Sequence, residues 1–283
     1  MNDLIIQENE YHAITFQSSY LQKQFRQSIS NYFYNKTQSD CTYVNILDSS
    51  GNEINGKDFY FVSFDCEAIN LTEDKATSKV LQEMLFYHLE HNPDILQEYV
   101  GLNEQINKFT ANIEFTNGDL LIEFLPTEKT IMNLIKSFKI SIEYRENEYV
   151  PNYVLREYLI ETLLDLNFLD KNVFLLVSFP ENDAGFEDFN QVIQLLKQLN
   201  VTTLVITSQK EFLIEANEGN IFLTEKNGTY YDIIRLRKEL EAFYSLNPNE
   251  LTERAKQLAF QDYTKDIFLL NDEMKKFLQS SNC

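Results

Sequence analysis

AITFQSSYLQKQFRQSISNYF, residues 13–33, sets a short apolar strand, a polar bend and an amphipathic helix in succession. That rhythm is the opening of a nucleotide-binding α/β protein, in which the bend wraps bare backbone amides around a phosphate. Such wrapping needs several glycines and a Gly-Lys-Ser or Gly-Lys-Thr ending. The bend here is Gln17-Ser18-Ser19-Tyr20, and none of the chain's seven glycines precedes Gly51. The only Gly-Lys pair, Gly56-Lys57, runs on to Asp58 in a turn. ATP hydrolysis by the phosphate-loop route is therefore not expected, and Lys23 or Arg26 would reach a phosphate only as side chains on a helix.

Working outward, the strand–helix opening is followed by strand-like Thr42 to Asp48 and Phe59 to Asp65. From Thr72 to Phe115 the composition is helical, with one break at Asn92-Pro93, which predicts two long helices. A short acidic connection, Asn117 to Leu125, leads into a helix on which Ile131, Leu134, Ile135 and Phe138 repeat at helical spacing. A strand over Lys139 to Arg145 and a helix over Asn152 to Asn167 come next. The apolar runs NVFLLVSF and TTLVITS then flank a helix over Phe186 to Asn200, and continuous apolar strands of this kind belong inside a parallel sheet. Beyond Gly228 the pattern returns to helix. The expected organisation is an α/β head in two pieces, 1–66 and 139–228, with a helical leg inserted at 67–138 and a helical extension at 229–283.

The formal charge of −20 repels nucleic acid as a whole, so any DNA contact must use a local basic lining, and surplus carboxylates suit hard divalent cations. No run reaches the roughly 18 apolar residues of a membrane span, and the first ten residues lack a signal-peptide pattern, so a cytoplasmic protein is expected. Cys41, Cys66 and Cys283 stand far apart and read as plain thiols. His88 and His91, a helical turn apart, lack a third ligand and read as a solvated face.

Three constellations carry chemistry. Asp65 and Glu67, with Glu181 further on, could serve a metal-dependent nuclease. The acids Asp119, Glu123 and Glu128 flank a helix start and could gather around calcium, although their spacing equally fits ordinary surface acids. Lys129, Lys136 and Lys139, with Lys75 and Lys79 on the first inserted helix, could follow a DNA backbone without reading sequence or could form a solvated face.

Three segments together resemble the type II-A CRISPR-associated Csn-two family of spacer acquisition. They are VSFDCEAINLTEDKATSKVLQEMLFYHLE (62–90), TIMNLIKSFKISIEYRE (130–146) and FLLVSFPENDAGFEDFNQVIQLLKQLNVTTLVITSQKEFL (174–213). The resemblance implies an α/β head of P-loop-NTPase-like topology lacking the phosphate loop, a helical leg, and a homotetrameric ring that holds double-stranded DNA ends without sequence preference and without catalysis. It implies calcium near Asp119, Glu123 and Glu128, and an inward lysine near Lys136. It also implies work beside the CRISPR integrase pair and the type II effector nuclease. The chain continues past Leu213, as longer members of that family do. Two other readings are the nuclease just described and a protein-interaction module docking through Arg235-Leu236-Arg237-Lys238.

Overall fold

The computed structural model describes residues 5–34, 46, 51–52, 55–67, 75–110, 114–117, 120–123, 131–137, 151–165 and 172–265. The chain divides into two compact units, one of residues 1–69, 151–153 and 169–283, the other of 70–150 and 154–168.

Unit 1 is a five-stranded parallel sheet with helices. Its strands are β1 (Tyr11–Phe16), β2 (Phe59–Asp65), β5 (Asn172–Ser178), β6 (Thr202–Ile206) and β7 (Ile221–Thr224), in the order β2-β5-β6-β1-β7. β5 and β6 lie inside the sheet, which is why the sequence keeps them apolar without alternation: Val173 to Ser178 and all of β6 are buried. The first strand of the chain is also interior, Ile14 pairing in register with Ile206 on one side and Phe222 on the other. On one face of the sheet, α1 (Ser19–Phe33) drops Phe25, Ile29 and Phe33 onto Ile14, Phe61, Phe174 and Ile206. Those three positions are four apart, one helical face. Ser18 caps this helix by accepting the Leu21 N–H, and the fifteen residues contain no glycine or proline to break it.

The other described α-helices of unit 1 are α6 (Phe189–Gln198), α7 (Lys210–Ile214), α8 (Ile233–Phe243) and α9 (Pro248–Thr264). Asn247 caps α9 through the Glu250 N–H, with Pro248 at the first helical position where its missing donor costs nothing. Between β7 and α8 the chain reverses through Lys226-Asn227-Gly228, where φ of +83° at Gly228 is the left-handed turn conformation that glycine tolerates. The returning segment pairs Tyr230 with Thr224, and the Tyr231 N–H donates to the Leu223 carbonyl, so the outer edge of β7 is partly covered.

Unit 2 contains α2 (Lys75–Glu90), α3 (Pro93–Thr110), the hairpin β3 (Glu114–Asn117) and β4 (Leu120–Glu123), α4 (Ile131–Ile135) and most of α5 (Asn152–Asp165). α2 packs against both α3 and α4. Inside the unit, Arg156 of α5 is buried and donates to the Thr77 hydroxyl at 3.5 Å. The hairpin corrects the sequence reading, which left Asn117 to Leu125 as an acidic connection. Asn117 pairs with Leu120, so the Gly-Asp dipeptide at 118–119, which that register leaves between the strands, is the turn signal that reading passed over. The short strand β7 and helix α7 were likewise not expected. The expected strands at Thr42–Asp48 and Lys139–Arg145 fall outside the described residues, apart from Ile46.

One buried residue of β1 gives the fold a pH dependence. His12 is fully buried; its Nε2 accepts the Gln7 N–H at 2.9 Å, so the proton sits on Nδ1, which donates to the Glu10 carbonyl at 3.0 Å. Burial pushes its pKa below the ordinary 6.5, and the contacts of Nδ1 with the Glu10 and Thr203 carbonyls only partly oppose that. Between the lowered folded value and 6.5 the unfolded chain binds the extra proton, so stability is complete above about 6.5 and is lost as pH falls through that window. Thermal melts stepped from pH 7.5 to 5.5 are expected to fall. His12→Gln is expected to lower stability at pH 7.5 and flatten that slope; an unchanged slope would place the titration elsewhere.

Candidate functional site at the carboxyl edge of the sheet

In the strand order, the connection leaving β1 runs through α1 to β2 at one edge, whereas the connection leaving β6 crosses β1 to reach β7. Oppositely directed connections from neighbouring strands open a crevice beyond their carboxyl ends, the place where open α/β sheets hold ligands. Here that edge is furnished by the bend after β1 and by the residues following β2, β5 and β6.

The bend is short. Only Gln17 and Ser18 separate β1 from α1, and both are engaged by the protein itself. The Gln17 N–H donates to the Thr224 carbonyl at 2.9 Å, and its side-chain amide donates to the Tyr263 carbonyl in α9, also at 2.9 Å. Tyr263 reaches back to donate its hydroxyl to the same Thr224 carbonyl. Burial holds the Tyr263 phenol well above its usual range, which keeps it neutral and a donor. Helix α9 is thus hydrogen-bonded to the bend after β1.

Beside it, Arg26 of α1 forms ion pairs with Asp65, the last residue of β2, and with Glu67 at 3.4 Å. Its guanidinium also lies 5.9 Å from the Phe179 ring centroid. Phe179 takes left-handed backbone angles (φ 59°, ψ 54°), a conformation that costs a side-chain-bearing residue about 1–2 kcal/mol. It is held there by its N–H bond of 2.7 Å to the Ile206 carbonyl. The turn that follows, although it begins at Pro180, keeps Glu181 against the residues after β6. Glu181 accepts from the Thr207 hydroxyl at 2.9 Å, the Ser208 N–H at 2.9 Å and the Ser208 hydroxyl at 3.0 Å, all just past β6.

The acids singled out for metal chemistry are therefore separated in their contacts. Asp65 and Glu67 meet a guanidinium, and Glu181 meets two hydroxyls and an amide. Among the described residues no group of three or more His, Cys, Asp or Glu side chains could hold a metal ion. An arginine reaching two carboxylates 39 and 41 residues away leaves no local trace in a sequence. The one hint was the helical position of Arg26 after a strand–bend opening.

Lys79 lies on α2 and is half-buried; Lys136 is exposed directly after α4, its N–H donating to the Met132 carbonyl. These two elements pack on one another in unit 2. Lys129, Lys139, Asp119 and Glu128 lie outside the described residues; Glu123 closes β4, at the register position opposite Glu114. The basic run at 235–238 is split between acids: Arg235 pairs with Glu239 at 2.8 Å, and Arg237 with Glu218 at 2.9 Å. His88 and His91 are exposed, and the His91 ring stacks on Tyr87.

Strand order and site together define a mixed α/β protein built on a parallel five-strand sheet. No protein-family profile matches the sequence, and no curated protein matches it. Among solved structures the chain is similar to the crystal structure of Stu0660 of Streptococcus thermophilus, at a TM-score of 0.55 and 17% sequence identity. The match covers 86% of this chain and 77% of that one. Stu0660 is a Csn-two protein, so the resemblance carried by the three sequence segments has a structural neighbour of the same kind. What the two chains share is the fold. No described helix is long and apolar enough to cross a membrane.

Proposed function

We propose that this chain acts in CRISPR adaptation as a non-catalytic protein that holds double-stranded DNA ends. The observation that carries the reading is the fold likeness to a Csn-two protein over most of both chains. The carboxyl edge of the sheet supports it. An NTPase-like strand order whose opening bend is two residues long, clamped by Gln17 and capped by Ser18, has no amide cradle for a triphosphate. Asp65 and Glu67 at that edge neutralise Arg26. The head is in this reading a degenerate P-loop scaffold kept for its shape.

DNA is held instead by lysines of the inserted helices, Lys79 and Lys136 with Lys129 and Lys139, inside a homotetrameric ring whose other surfaces are anionic. Phosphate contacts of this sort add up through counterion release, are blind to sequence and weaken steeply with salt. Calcium shapes the leg through Asp119, Glu123 and Glu128. The hairpin register supports a cation there, since Glu114 and Glu123 face each other across it, and like charges at opposite positions oppose pairing unless neutralised. Calcium would supply that charge compensation and oxygen coordination when bound. The integrase pair and the effector nuclease are the expected partners, in the cytoplasm.

The test is binding of one duplex length as a linear fragment and as a covalently closed relaxed circle, with and without a calcium chelator. Linear duplex is expected to bind and the circle far less; equal binding removes the ring. Lys136→Glu is expected to weaken binding about three- to tenfold on every sequence alike and to lower the salt slope by about one. An unchanged affinity would move the DNA path off α4. Incubation of labelled duplex with magnesium or manganese is expected to leave it intact, and cleavage would return the nuclease reading.

A further inference from the structure

We draw no further inference here: the strongest candidate, the cleft of about 260 Å³ that Glu225, Asp232, Arg235 and Glu239 line at the start of α8, is a cluster of acids already taken up by the Thr229 hydroxyl, the Arg235 N–H and the Arg235 guanidinium, and nothing among the described residues points to a ligand for it.

Discussion

Phe174→Ala is expected to lower the unfolding free energy of unit 1 by about 3–5 kcal/mol, a large share of the roughly 5–15 kcal/mol that holds a domain together. The residue is fully buried in the middle of β5. Its ring centroid lies 4.6 Å from that of Phe33 and 6.1 Å from those of Phe59 and Phe61, so α1, β2 and β5 meet on one side chain. Removing it leaves a hole lined by rings that are already fixed against each other, and such sites relax poorly. Phe174→Leu fills most of the volume and should cost far less. Denaturant melts followed through unit 1 would check both. A loss of under about 1 kcal/mol for the alanine variant would mean that the cluster collapses around the gap and is not the organising core.

Ending the chain after Asn247, and so deleting α9, is the other change expected to be severe. The helix buries Leu251, Ala255, Leu258, Ala259 and Tyr263 within unit 1, where it packs on α7 and α8. The leucines and the tyrosine alone correspond to several kcal/mol of apolar burial. Polar ties are lost as well. Lys256 donates to the Ile214 carbonyl at 2.8 Å, Tyr231 donates to Asp262 at 3.0 Å, and the Gln17 amide loses its acceptor. Together these approach the whole stability of a domain, so the truncated chain should be poorly soluble or lack a cooperative transition. Truncated protein that melts within a few degrees of the full chain would show α9 to be an appendage.

How much of this was legible in the sequence depended on range. β5 and β6 announce themselves because interior parallel strands are apolar throughout, and the break between α2 and α3 because Asn92 caps α3 by accepting the Asp94 N–H and Pro93 is that helix's first residue. β7 did not, since four residues are too few for any periodicity to declare itself. The β3–β4 hairpin was readable and was missed: IEFTNGDLLIEF holds a Gly-Asp turn signal between apolar runs. The site was less legible than the fold. Gln17, Arg26, Asp65, Glu67 and Glu181 were named, but the Arg26 ion pairs, the seating of Glu181 on Ser208 and the reach of Gln17 to Tyr263 span 27 to 246 residues. Neither composition nor spacing encodes contacts of that span.

The interior position of β1 has a consequence for how the molecule is made. Tyr11 pairs with Thr203 and Ala13 with Ile221, so this strand's partners on both sides are synthesised some 200 residues after it. A growing chain on the ribosome must carry β1 with both edges unsatisfied until β6 and β7 have emerged. Slow late closure and a need for chaperone cover during translation follow from that topology, because loop entropy is lost before any distant pairing is gained.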